Sequence, residues 1–88
     1  MPEIRVKIAS SVGLHARPAS LFVKAASGQP GDVRIGRPGT ELVDARSMLS
    51  VLSLAIGHGE EVVLRAEGDQ ADQALTELSR LLTSDLDA

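Results

Sequence analysis

Cysteine is missing from this chain, as are tryptophan and tyrosine, and Phe22 is its one aromatic residue. Without cysteine there is no disulfide, no thiol nucleophile and no thiolate metal site, and two histidines far apart in sequence, His15 and His58, make a weak case for zinc. No metal and no cofactor is expected. A surplus of positive charge is also absent: twelve acidic residues against nine basic ones give a formal charge of −3, with the signs interspersed. With neither a basic patch nor stacking rings, a nucleic-acid partner is not expected, and proteins are the better partners. The first ten residues lack the long apolar core of a signal peptide and no stretch approaches membrane-spanning length, so a cytoplasmic location away from any membrane is the expectation. No repeat or low-complexity tract interrupts the 88 residues, which suffice for one core and not two. Residues 1–88 are read as a single domain.

The informative stretch is Gly13-Leu14-His15-Ala16-Arg17-Pro18-Ala19. Before it, Ile4, Val6 and Ile8 alternate with Arg5 and Lys7, the period of a half-buried strand over 2–8. After it, Leu21, Phe22 and Val23 begin an apolar run that ends at Gly28, which predicts a helix over 16–27. Pro18 suits the first turn, whose amide protons have no intrahelical acceptor, and Gly28 suits the stop. His15 therefore stands at a strand-to-helix junction. The free first-turn amides and the positive end of the helix dipole favour an anion there, and Arg17 adds a permanently charged fork of donors matched to phosphate oxygens. A histidine nucleophilic through one ring nitrogen, beside such groups, is equipped to carry a phosphoryl group.

The rest of the chain divides cleanly. Gly28-Gln29-Pro30-Gly31 is a break, Val33 and Ile35 alternate with charged neighbours, and Arg37-Pro38-Gly39-Thr40 turns the chain into Leu42 and Val43, giving a hairpin of two short strands. Ser47 is the N-cap of a short helix over 48–56. A fourth strand runs over 61–67 with Val62, Leu64 and Ala66 inward and Val63 on the other face. The last helix carries Ala71, Ala74, Leu75, Leu78, Leu81 and Leu82 at helical spacing, capped by Asp69 or a neighbour. The order βαββαβα, with hairpin connections and amphipathic helices, predicts an α+β two-layer domain. Along 48–56 the apolar positions cover half or more of the helix, whereas one core-facing stripe needs about 100°. Part of that surface is expected to be exposed and to receive a partner.

All seven residues of 13–19 fit the active-site signature of the HPr family, the histidine-containing phosphocarriers of the bacterial phosphoenolpyruvate:sugar phosphotransferase system, and the chain resembles that family further on. The segment from Ala45 to Ile56, followed by Gly57 and Gly59, resembles the family's regulatory serine and short second helix. The resemblance implies an open-faced β-sandwich, a four-stranded antiparallel sheet covered on one face by three helices. It implies that His15 accepts a phosphoryl group from the first enzyme of the system, enzyme I, and passes it to a histidine of an EIIA protein. The backbone amides of Ala16 and Arg17, with the Arg17 side chain, would hold the charge, and Pro18 would fix the turn. Met48, Leu49 and Leu52 would form the surface that receives both partners, with Val51, Leu54 and Ile56 in the core. Such a protein is a covalent carrier and not an enzyme in its own right, and a monomer is expected.

Ser47 would be a regulatory phosphorylation site, served by a serine kinase and read by a transcription regulator. Two other readings share the fold, a regulatory interaction module without transfer and a carrier of a nitrogen-related branch. An enzyme using His15 as general base lacks a second catalytic group. His58, in Gly57-His58-Gly59, is read as an exposed turn residue outside the chemistry. The sequence departs from the family in two places: Val12 stands where many relatives have a small polar residue, so orientation of the His15 ring falls to backbone groups or a side chain such as Ser11, and the loop before Ser47 is one residue longer, absorbed at Pro38-Gly39.

Overall fold

The structure, a computed structural model, describes residues 2–84. The single-domain expectation over 1–88 extends to residues 1 and 85–88, which lie outside the described residues. The elements are β1 (Glu3–Lys7), α1 (Ala16–Ser27), β2 (Val33–Gly36), β3 (Val43–Asp44), α2 (Met48–Ser53), β4 (Glu61–Ala66) and α3 (Ala71–Leu82). The four strands form one sheet in the order β1-β4-β2-β3 with every pairing antiparallel. Helix α3 packs on β1 and β4, α2 packs on β3, and α1 packs on both other helices. This is the open-faced α+β sandwich that the pattern and the resemblance led one to expect.

Alternation along the strands decides which face is covered. Val6, Val33, Ile35, Val62, Leu64 and Ala66 are buried, and Phe22, Leu14, Leu78 and Val51 meet them from the helical side. The other face carries charge. Arg65 pairs with Glu3, Arg5 with Glu61, and Arg34 with Asp32, at 3.0–3.3 Å. Arg34 and Arg65 are direct cross-strand neighbours, a repulsive placement relieved because each has its own carboxylate. Val63, on this outer face, is nonetheless buried. No helix among the described residues is long and apolar enough to cross a membrane.

The ends of elements differ from the sequence reading. The first strand covers Glu3–Lys7 and not all of 2–8, and the fourth ends at Ala66 and not 67. Leu42 lies before the two-residue β3, with its Cδ2 close over Gly36. The second helix stops at Ser53 instead of 56: the Leu54 and Ala55 amides bond back to the Val51 and Leu52 carbonyls in tight three-residue closures, and Ala55 has a left-handed φ of 52°. Ile56 then enters the core from a loop. Helix α3 begins after Gln70, which makes no side-chain cap, and Asp72 supplies the acidic group of its first turn. Gly31 admits the close approach of another segment, since a Cβ there would lie 2.0 Å from the Glu67 carbonyl oxygen.

Phe22, fully buried where α1 meets the core, is the largest side chain inside the domain. Phe22→Ala is expected to lower stability by about 3–5 kcal/mol. In the absence of tryptophan and tyrosine, urea unfolding followed by far-UV circular dichroism is the measurement; a loss below about 1 kcal/mol, the scale of an ordinary surface change, would contradict this packing.

Candidate functional site

The site is built by two backbones in contact. Gly13 has φ +72°, and a Cβ on it would lie 2.4 Å from the Ile56 carbonyl oxygen and 2.7 Å from the Gly57 Cα, so only glycine permits the approach. At the next residue the Leu14 amide donates to the Ile56 carbonyl at 2.9 Å, and the Leu14 side chain is buried. The loop before it is a turn in which the Gly13 amide donates to the Ser10 carbonyl at 3.0 Å and the Val12 amide to Ser10 Oγ at 3.4 Å. The His58 ring adds a bond from Nδ1 to the same Ser10 carbonyl, 2.9 Å long. A carbonyl oxygen only accepts, so Nδ1 is the protonated nitrogen. His58 is exposed as expected, yet it braces the loop that leads to His15, a role the sequence reading missed.

His15 is the N-cap of α1, with extended backbone (φ −142°, ψ 161°), and its ring makes no capping hydrogen bond. His15, Ala16 and Arg17 are all exposed, while Pro18 and Ala19 behind them are buried and anchor the turn. Ala16 has φ 50°, a left-handed conformation unusual for a residue with a Cβ, which costs on the order of 1–3 kcal/mol where surroundings enforce it. The amides of Ala16 and Arg17 have no intrahelical acceptor, and Pro18 has no N–H. The junction therefore presents two free amide donors beside an exposed imidazole. Arg17 makes no ion pair among the described residues, which leaves its guanidinium available for an anion.

Helix α2 lies against α1. Leu49 is 80% exposed and Val12, on the loop before His15, is 52% exposed; both are large apolar side chains open to solvent. Met48 and Leu52 are half-buried and packed against the core, as is Leu54, whereas Val51 and Ile56 are fully inside. The exposed apolar surface is thus narrower than the sequence pattern predicts, with Leu49 its one exposed large apolar side chain among the described residues of α2. Ser47 caps α2, its Oγ accepting from the Ser50 amide at 3.2 Å. Beside it, Arg46 is bound to Asp44 through both its amide and its Nε and reaches Asp32 at 3.1 Å. The Arg46 amide, and after it the Arg46 guanidinium, hold the Asp44 carboxyl below its usual value of 3.8.

A second charged group was not anticipated. Arg37, from the β2–β3 turn, grips Glu60 with two bonds, Nε to Oε1 at 2.9 Å and Nη2 to Oε2 at 3.1 Å. That guanidinium, and then the Gly57 amide, hold the Glu60 carboxyl below its usual 4.5. Among the described residues no cluster of histidine and carboxylate side chains is arranged to bind a metal ion. A cleft of about 530 Å³ opens between the C-terminal end of α1 and the N-terminal end of α3, and neither His15 nor Arg17 lines it.

A family model described as "PTS HPr component phosphorylation site" matches residues 2–84. The chain is 40% identical over 87 residues to the phosphocarrier protein HPr of Pseudomonas aeruginosa, covering 99% of this chain and 97% of that one. It is 47% identical over 83 residues to the phosphocarrier protein HPr of Haloferax volcanii, covering 93% of each. Among solved structures, HPr-C-His from Thermoanaerobacter tengcongensis superposes with a TM-score of 0.91 at 35% identity, covering 100% of this chain and 98% of that one.

Both lowered carboxyls carry a consequence for acid stability. Each binds its proton at lower pH in the folded chain than in the unfolded chain, so their stabilisation is complete above the unfolded values of 3.8 and 4.5 and is lost as pH falls through the folded ones. Urea midpoints measured from neutral pH into this acid range are expected to fall for the wild type and slightly less for Glu60→Gln, because solvent screens the pair. Equal steepness in the two proteins would show that Glu60 is not held as described.

Proposed function

The chain belongs to the HPr family, the phosphocarriers of the phosphotransferase system, and from that premise we propose that His15 is the residue that takes up the phosphoryl group and hands it on. The bond from phosphorus to the donor, phosphorylated enzyme I, breaks as one ring nitrogen of His15 forms its own bond to phosphorus. The second transfer repeats the exchange, with a histidine of an EIIA protein as the attacking group. The phosphoryl group originates in phosphoenolpyruvate, and the carrier catalyses nothing by itself. It works in the cytoplasm as a monomer.

The observation that carries this reading is the junction at the start of α1: an exposed imidazole at the N-cap, followed by free amides on Ala16 and Arg17 and by a guanidinium without an ion-pair partner among the described residues. The phosphoryl group on His15 is an anion, and these donors together with the helix dipole stabilise it. The openness of the site fits a group delivered by another protein, since His15 and its neighbours Ala16 and Arg17 are exposed and a diffusing small substrate would have little to hold it. The same openness, with Leu49 and Val12 exposed and Met48 and Leu52 beside them, supports α2 as the surface that receives enzyme I and the EIIA acceptor in turn. Brief encounters of that kind need little buried area.

Ser47 is the second, regulatory site of this proposal. Its Oγ is engaged in capping α2, so a serine kinase would exchange that bond for a phosphate at the helix start, adjoining the exposed Leu49. The negative charge would weaken docking of an acidic surface while leaving His15 intact, and a transcription regulator is the partner that would read it. The presence of His15 and Arg17 favours the carrier over an interaction module without transfer.

Incubation with phosphoenolpyruvate and enzyme I is expected to add one acid-labile phosphoryl group to the wild type and none to His15→Ala, as read by intact-mass spectrometry with an acid wash. Arg17→Met is expected to be phosphorylated more slowly, by about tenfold, the scale of one lost charge-assisted bond. Labelling of His15→Ala to the wild-type level would overturn the assignment.

A further inference from the structure

The β2–β3 turn is remote in sequence from His15, but its Arg37 is tied to the phosphoacceptor loop. Besides its two bonds to Glu60, the guanidinium donates through Nη1 to the Leu54 carbonyl at 2.6 Å and through Nη2 to the Ala55 carbonyl at 3.2 Å. Those are carbonyls that the short α2 leaves without helical partners when it stops at Ser53. Glu60 completes the grip from the other side, since its Oε2 also accepts from the Gly57 amide. The chain from 54 to 57, which includes the left-handed Ala55, is thereby held on both sides of Ile56.

Ile56 is the residue that matters to His15. Its carbonyl accepts from Leu14, the neighbour of His15, and it is the atom against which Gly13 is packed too closely for any Cβ. The same segment continues its hold with Gly59 donating to the Ile8 carbonyl at 2.9 Å and Ile8 to the Glu60 carbonyl at 3.0 Å. A small displacement of 54–57 therefore moves Gly13 and Leu14, and with them the ring of His15. We infer that Arg37, together with Glu60, is a positioning group for phosphoryl transfer, setting the place of His15 through the backbone of Leu54, Ala55 and Ile56.

This inference rests on the reading of His15 as the acceptor. Transfer between two histidines needs the attacking nitrogen in line with the bond that breaks, and a misplacement of about 1 Å can cost roughly 100-fold in rate. The pair itself is more than a third exposed, 38% for Arg37 and 37% for Glu60, so solvent screens it and its bearing on global stability is modest. Its geometry counts for more than its energy: a bidentate fork with two further carbonyl bonds uses a planar guanidinium in a way that lysine cannot copy in full.

The test uses the full chain with Arg37→Met, Glu60→Gln, Arg37→Lys and the Arg37→Met/Glu60→Gln double variant. Transfer from phosphorylated enzyme I is followed to separate kcat from KM, and the Leu14 and His15 amides are followed by NMR shift and hydrogen exchange in the unphosphorylated protein. Arg37→Met is expected to lower kcat by about threefold to tenfold, with KM within about twofold, and to speed exchange of the Leu14 amide, while the far-UV unfolding midpoint stays near the wild type. The double variant is expected to be no slower than the worse single one, and Arg37→Lys to recover part of the loss. A rise in KM alone would make Arg37 a docking group and overturn the inference, and so would unchanged Leu14 exchange or losses that track unfolding. Should Arg37→Met not fold, Glu60→Gln and Arg37→Lys decide by the same readouts. If the wild type takes no phosphoryl group on His15, the carrier reading fails, and the Leu14 amide still shows whether the coupling exists.

Discussion

Gly13 against Ile56 and Gly57 is the contact on which the remainder of the site depends. Two segments 43 positions apart meet with no side chain between them, and the meeting is fixed by a positive φ at Gly13 and by the Leu14 amide on the Ile56 carbonyl. The sheet makes the contact possible, because β1 pairs with β4 and brings the loop leaving one strand beside the loop entering the other. Leu14 then drops its side chain into the core, and the chain has one residue in which to turn from that anchor into α1. That residue is His15, with extended backbone, and the cost of the turn falls on Ala16 and its left-handed φ. The exposure of the imidazole is thus a consequence of burial on both sides of it, Leu14 before and Pro18 and Ala19 after.

The electrostatics follow from the same turn. A helix that starts abruptly presents its first amides to solvent, and proline at the third position guarantees that one of the usual donors is absent while the remaining two point outward. No acidic residue occupies the first turn of α1 to neutralise that end, whereas α3 has Asp72 in its own. A carboxylate there would stabilise α1 and compete with any other anion for its first amides. Its absence, together with Arg17, leaves the junction positively biased on a chain whose formal charge is −3.

What could be read from the residues was whatever depends on neighbours in sequence. The helix over 16–27 and its stop at Gly28, the Ser47 cap, and the inward set Val62, Leu64 and Ala66 all follow from periodicity and local capping, and the structure has them. Periodicity misled at the end of α2, because Leu54, Ala55 and Ile56 continue an apolar pattern that the backbone abandons at Ser53. The features found there come from elsewhere in the chain: Arg37 donates to the Leu54 and Ala55 carbonyls just past the helix, and the Ile56 carbonyl accepts from Leu14 at the Gly13 contact. His58 shows the same limit, since a ring bonded to a carbonyl 48 residues away has no signature in the sequence around it. Pro38-Gly39 looked like the place for a harmless extra residue, and Gly39 does stand in open space. Arg37, on the other side of Pro38, does not.

Helix α2 shows how local and distant control combine. Six residues are too few to be stable as an isolated helix. The Ser47 hydroxyl caps one end, the Arg37 guanidinium satisfies carbonyls just past the other, and Val51 is buried between them. With both ends and the middle fixed, Leu49 is held out to solvent at 80% exposure on a support that does not need its burial. The exposed face of α2 and the His15 loop are joined by three residues, Leu54, Ala55 and Ile56, the first two held by Arg37 and the last accepting from Leu14. The Arg37 end of α2 adjoins the segment that touches Gly13 and Leu14, whereas the Ser47 end meets the Arg46, Asp44 and Asp32 group instead.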